Sequence, residues 1–380
     1  MSQLKLTALA LTLGIVGIGS ARADVQFQCP AQLAMLERTV PAYLRAMKIS
    51  ADLVVQTSDT KSGALTLTLA GDANDKQTLD FSTRAEFMLA TERVHLPIGG
   101  EKFRHVDTVS KKEIVLAMLQ HGRLITFEAD SCSLDALVNH VGVRQNIVAW
   151  AENLNWDWPD GGPARWNTRY WDRGTPKRGV SAHVAVMDAF LHQDKYAIGC
   201  YTAAKLVVVQ GTLDYYRRVK PNANRLHQIE KILLKDGEPL VDVEPSEMWR
   251  FEKDFDATQA ARLGKLLALN TKIAKGNFVP GDWGYLLNTD VTTAQKTGYE
   301  GSNAIYMGRN KFDDFYNDHG HSFTYEEKLD EVYQWRNGVF NRVRDKAKRR
   351  ALSAHGLAQL GSDIAAGGLQ LDTRLSPSHF

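Results

Sequence analysis

Lys195-Tyr-Ala-Ile-Gly-Cys-Tyr-Thr-Ala-Ala204 decides how this chain is read. A short turn runs straight into an apolar stretch, with Ala203, Ala204, Leu206, Val207, Val208 and Val209 in near succession. Residues this apolar on all sides predict a buried central helix. It runs roughly to Val219, and Pro221 stops it. Cys200 therefore stands at a helix start, where unpaired backbone N–H groups and the positive end of the helix dipole favour thiolate over thiol. The thiolate is the nucleophilic form. Asp318-His-Gly-His321, about 120 residues further on, offers the base that such a cysteine needs. The plainer reading is a small buried cysteine at a helix end.

Around this helix, Leu33, Leu36, Val40, Leu44 and Met47 recur at helical spacing over 31–48, with Pro41 inside. Leu53 to Thr57, Ala64 to Ala70 and Leu124 to Phe127 read as strands, and Ser133 to Trp150 as a capped helix. Val180 to His192 is expected to be helical, as are segments of 222–275 that include Ala257 to Ala274. Phe278 to Asn288 reads as a turn entering a strand, Asn303 to Gly308 as a second strand, and His321-Ser-Phe323 as part of a third. Thr324-x-x-Glu327 is a capping box that starts a helix. A nucleophile helix followed by strands bearing histidine is the element order of papain-like enzymes, a likeness of fold alone.

The fold class expected is α+β. A small α+β accessory domain (24–150) precedes a papain-like cysteine-enzyme domain (151–360), in which the nucleophile helix packs on an antiparallel sheet. Residues 361–380 are expected to be a loose tail.

The N-terminus reads as a secretory signal: Lys5, an apolar run from Leu6 to Ile18, then Ala21-Arg22-Ala23 as the cleavage site. The run is shorter than the roughly 18 residues that suggest a spanning helix. No later segment is long and apolar enough to span, so the mature chain is expected in a periplasm or secreted. Removing 1–23 takes away Lys5 and Arg22 and no acid, and the formal charge falls from +2 to 0. A near-neutral chain has no electrostatic footprint for nucleic acid. Export permits disulfides. Cys29 and Cys132, neither in an activated context, are expected to pair, which leaves Cys200 as the odd thiol. His319 and His321 share a strand face but lack a third ligand at useful spacing, so no metal or other cofactor is called for.

Four tryptophans fall within 16 residues: Trp156, Trp158, Trp166 and Trp171. They pin a surface loop or they form an aromatic wall beside the active site. On the second reading Trp166, Tyr170 and Trp171, with Tyr201 and Trp283, are the candidate substrate-binding residues.

The blocks Arg165-Trp-Asn-x-x-Tyr-Trp-x-Arg173, Lys195-Tyr-Ala-x-x-Cys-x-Thr-Ala203, Phe278-Val-Pro-Gly-Asp282, Gly301-x-Asn303 and His319-Gly320 fall in order. Together they resemble the bacterial spore-coat type protein-glutamine gamma-glutamyltransferases over roughly 164–345. The resemblance implies a domain related to the NlpC/P60 papain-like fold, with Cys200 as nucleophile and His319 as general base and acid. It also implies acyl transfer from a protein glutamine to a lysine or other amine. Two departures stand out. Gly199 and Ser302 occupy positions where the family usually has glutamate, and His321 replaces an apolar residue. Glu300 could substitute for a lost carboxylate only with a local shift. A Cys200–His319 dyad steadied by Asn303, Asp318 or His321 is closer to an NlpC/P60 amidase or endopeptidase acting on cell-wall peptide. Three readings stay open here: an exported transglutaminase-like enzyme, a cysteine amidase, peptidase or deamidase of the envelope, and an inactive binding derivative.

Overall fold

The computed structural model describes residues 24–71, 77–120, 124–159, 162–235, 267–271, 274, 276–316, 320–340, 345–362, 364–370 and 373–377. The expected signal segment, 1–23, lies outside the described residues. The chain begins in a four-stranded sheet made by β1 (Asp24–Gln28), β2 (Val54–Asp59), β3 (Ala64–Leu69) and β6 (Leu124–Glu128), in the order β2-β3-β1-β6. β1 runs antiparallel to β3 and parallel to β6. Helix Leu33–Ala46 turns Leu36, Val40 and Leu44 inward, as the periodicity predicts, and accommodates Pro41. Between β3 and β6 lie the hairpin β4 (Glu92–Gly99) and β5 (Lys102–Thr108) and the helix Lys111–Met118.

Cys29 and Cys132 form a disulfide across a sequence separation of 103. The two cysteines lie just past the ends of the parallel partners β1 and β6, so the bridge ties that pair where it leaves the sheet. Closing so long a loop restricts the unfolded chain most. Replacing both cysteines by alanine should therefore cost about 2–5 kcal/mol in urea unfolding while activity per folded molecule stays level. A parallel loss of specific activity in folded protein would show that the bridge also shapes the site.

Helix Leu134–Ala151 is capped by the Ser133 side chain, which accepts a hydrogen bond from the Ala136 N–H. It packs against the cysteine helix, Cys200–Asp214. At the crossing, a side chain on Gly211 would run into the Ile147 backbone at 2.5 Å, so glycine is what lets the two helices approach. Asn146 and Trp150 reach across to the Gly211 carbonyl and the buried Asp214 carboxylate. Helix Ala182–Leu191 covers another side of the cysteine helix. One apolar core runs from Val25 to Tyr316, across residue 150, and Leu134–Ala151 lies within it.

After a short hairpin of β7 (Trp171–Asp172) and β8 (Thr175–Pro176), the second sheet is built from β9 (Leu267–Thr271), β10 (Trp283–Asn288), β11 (Gly301–Gly308), β12 (Lys311–Asp313), β13 (Ser322–Phe323), β14 (Leu369–Gln370) and β15 (Thr373–Pro377). Its order is β13-β12-β11-β10-β15-β9, with β14 also pairing β10. Every pairing in it is antiparallel. Alternation along β10 and β11 sends Trp283, Ile305 and Met307 into the core shared with the cysteine helix. Leu286, Ala304 and Tyr306 face the other way, against Leu329, Val332 and Trp335 of helix Tyr325–Arg336. The Thr324–Glu327 capping box starts that helix as expected.

The class is α+β, with the cysteine helix packed on an antiparallel sheet. Two expectations fail. Leu267–Thr271 is a strand rather than part of a helix over 257–274, and residues 257–266 lie outside the described residues. Within the stretch expected to be a loose tail, β14 and β15 instead complete the sheet by pairing β10 and β9.

Candidate active site

Gly199 is the N-cap of the cysteine helix and makes no side-chain cap, and Cys200 is the first helical residue. The sulfur thus sits at the helix end where backbone N–H groups lack intrahelical partners. Cys200 is the free cysteine among the described residues and is 7% exposed. Strand β11 lies against this helix. From it Asn303 points two donors at the sulfur: its backbone N at 3.5 Å and its side-chain Nδ2 at 3.4 Å. The Asn303 Oδ1 accepts a hydrogen bond from the Trp283 indole N–H at 2.9 Å. The Trp283 ring stands edge-on to Tyr201, with centroids 5.2 Å apart. Asn303, Tyr201 and Trp283 therefore meet Cys200 in one buried cluster.

His319 and Asp318 lie outside the described residues. His321 is exposed, and its Nδ1 hydrogen-bonds the Leu154 carbonyl at 2.7 Å. A carbonyl only accepts, so this ring carries its proton on Nδ1. The bond fastens the start of β13 to the segment that leads into Trp156. Glu300 accepts from the Gly298 N–H at 2.7 Å and so holds its own turn. Ser302 pairs with Leu286 and, by alternation, shares the sheet face of Ala304 and Tyr306, away from Cys200. In this register Asn303, not residue 302, is the β11 side chain that reaches the sulfur.

The tryptophan loop divides by burial. Trp156 and Trp171 are at most 1% exposed, and their indole N–H groups bond the carbonyls of Ala189 and Ala185 on helix Ala182–Leu191. Trp171, expected to touch substrate, is instead a core anchor. Trp283, 1% exposed, likewise lies behind the cysteine rather than on an open wall. Trp166 is half-buried against Trp171, and Trp158 half-buried against Tyr316. Tyr170 is half-buried beside Arg169. Asp188 ties the loop to the cysteine turn. Its carboxylate accepts from Asn167 at 2.7 Å and from the Tyr196 hydroxyl at 2.5 Å. Burial, then the bond to Asp188, pushes the Tyr196 phenol well above its ordinary pKa.

The Phe278–Asp282 turn is fixed from outside the sheet. Asp282 pairs with Arg144 at 2.9 Å, both side chains fully buried, and also accepts from the Val279 N–H and the Ser376 hydroxyl. Arg144 donates as well to the Pro280 carbonyl. Gly281 takes a left-handed φ of +85°, and a Cβ there would press on Arg144. Sequence reading found the turn but not Arg144, which lies some 138 residues away. Lys328 is another buried charge it passed over. Burial works against its ammonium, but the carboxylates of Glu331 and Asp314, with a smaller contribution from Cys200, outweigh burial and raise its pKa. Among the described residues, no group of three or more His, Cys, Asp and Glu could hold a metal ion.

A buried cysteine at a helix start, hydrogen-bonded from an antiparallel strand, is an arrangement suited to a cysteine acyl-transfer enzyme. The family model for protein-glutamine gamma-glutamyltransferase matches residues 98–351, and the chain belongs to that family. It is a glutamine gamma-glutamyltransferase-like cysteine acyltransferase, with protein glutamine and lysine side chains as its substrates. No curated protein matches it. Among solved structures it is similar to the transglutaminase from Geobacillus stearothermophilus (without C-terminal extension), at 16% identity. That alignment covers 65% of this chain and 95% of the other, with a TM-score of 0.41.

Proposed function

We propose that Cys200 carries the acyl group and that His319 moves the protons. The thiolate attacks the carboxamide carbon of a glutamine side chain, and the C–N bond breaks. Ammonia leaves with a proton delivered by the protonated base. A lysine amine then attacks the thioester, gives its proton to the base, and expels the thiolate. The net change is exchange of ammonia for the amine, with no oxidant or cofactor needed. The observation that carries this reading is the sulfur at a helix start, buried, with two N–H donors from Asn303. A dry nucleophile favours an amine over water as acceptor.

The test is incubation with casein and dansylcadaverine, following fluorescence and ammonia together. Incorporation that requires Cys200 supports transfer, and ammonia without incorporation would make the protein a deamidase. His319→Ala should lower kcat by about 10²–10⁴-fold, the usual share of a general base. His321→Ala should cost far less, because His321 is bonded to the Leu154 carbonyl. The reverse order of effects would move the base to His321.

We also propose that the enzyme works outside the cytoplasm. The signal-like residues 1–23 and the Cys29–Cys132 disulfide support this, since such bonds persist in oxidising compartments. Fractionation of the source cells and N-terminal sequencing of the mature chain would test it. A cytoplasmic protein retaining Met1 would refute export.

A further inference from the structure

We propose that Trp283 is a positioning residue: its indole N–H fixes the Asn303 amide so that Asn303 presents two N–H donors to Cys200 and holds the sulfur as thiolate. The inference rests on Cys200 being the nucleophile. Asparagine has one accepting and one donating end. An indole N–H only donates, so the end facing Trp283 must be Oδ1, at 2.9 Å. The amide is planar, and Nδ2 is then the end left for the sulfur, at 3.4 Å. With the Asn303 backbone N at 3.5 Å, the sulfur accepts twice from one residue.

A neutral thiol is a poor acceptor, whereas hydrogen bonds to a charged group favour the charged form. All three partners are buried: Trp283 1%, Asn303 4% and Cys200 7% exposed. Burial alone penalises a thiolate. It also keeps water from competing for the two donors and strengthens them. At this site position 199 is glycine and position 302 faces the other side of the sheet, so neither can supply a side-chain donor or carboxylate to the sulfur.

Trp283 is held through its backbone, which pairs with Ile305 and Leu375 and directly follows Asp282 of the buried Arg144–Asp282 pair, and through its ring, which meets Tyr201 of the cysteine helix. Trp283 and Asn303 stand diagonally across β10 and β11, within reach of a long side chain. Lys328, on the helix Tyr325–Arg336, is a charged group within electrostatic reach of the sulfur, and it is unchanged in the variants below.

The experiment measures the rate of iodoacetamide alkylation of Cys200 against pH, by mass of the labelled peptide, in the full chain. Trp283→Phe keeps an aromatic ring beside Tyr201 and deletes the N–H together with part of the indole, so the pH midpoint rather than activity alone is the readout. Its alkylation midpoint should rise by about one pH unit, the scale of one hydrogen bond to a charged group. Transamidation at neutral pH should fall about tenfold and recover at higher pH, because the thiolate population returns. Asn303→Asp, nearly the same shape, turns an oxygen towards the sulfur and should raise the midpoint further. An unmoved midpoint in either folded variant overturns the proposal, even with reduced activity, since loss at every pH is what a purely structural role gives. Wild-type protein that alkylates with the expected shifts between variants but never transamidates would sink the functional reading and leave the positioning role standing.

Discussion

Cys200→Ala is expected to abolish dansylcadaverine incorporation while leaving a folded protein. Loss of a covalent nucleophile removes the thioester route altogether, and the rate should drop on the order of 10⁶-fold. The structural cost is small. Cys200 is the first residue of its helix, and alanine is the better helix former. The change deletes one sulfur atom from a site that is 7% exposed, worth about 1 kcal/mol. The donors on Asn303 lose their acceptor, but Oδ1 keeps its bond to Trp283, so the amide stays in place. Circular dichroism and urea midpoints should therefore match wild type closely. Retained incorporation would remove Cys200 from the chemistry. Absent incorporation in wild type, with a thiol that does not alkylate when folded, would instead favour the inactive binding derivative, which has no use for a reactive sulfur.

Much of the site was legible because its signals are local. Helix starts are written in neighbouring residues: Ser133 before Leu134, and Thr324 with Glu327. The cysteine turn has the same character, since an apolar run after a glycine places Cys200 at a helix start without any tertiary knowledge. The Cys29–Cys132 pair followed from counting three cysteines and setting aside the one in an activated context. Family resemblance supplied the blocks, and the structure supplies reasons for several of them. Asn167 and Tyr196 meet on Asp188, Trp171 anchors on Ala185, and Asp282 meets Arg144.

What escaped reading depends on partners distant in sequence. Leu267–Thr271 is short and apolar, and such a run suits helix or strand equally until pairing decides. Its partner, Thr373–Pro377, lies in a stretch whose Gly-Gly and Ser-Pro-Ser signal looseness. In the β4–β5 hairpin Val94, Leu96 and Ile98 do alternate, but Pro97 interrupts the strand signal and only Leu96, Val106 and Thr108 are buried. The tryptophans show the same limit. Composition marks Trp166 and Trp171 alike, but only the carbonyl of Ala185 makes Trp171 a core residue.

The buried pair Arg144–Asp282 predicts the largest effect on stability. Both side chains are fully excluded from solvent. Asp282→Ala would remove the carboxylate that the buried guanidinium pairs with, and breaking such a pair costs about 3–5 kcal/mol. Whole domains are stable by only about 5–15 kcal/mol, so the variant should lose roughly a fifth or more of its margin. The loss should appear as a lower urea midpoint with little change in slope. Asp282 also accepts from Val279 and Ser376, so it fastens the 278–282 turn and β15 to the helix Leu134–Ala151. A double-mutant cycle separates the charge pair from these other bonds. Arg144→Met with Asp282→Asn removes both charges, and the pair should be less destabilised than the two single changes summed. Additivity within about 0.5 kcal/mol would mean that the two residues act independently. The turn would then owe its shape to Gly281 and the backbone bonds between Gly281, Asp282 and Tyr306.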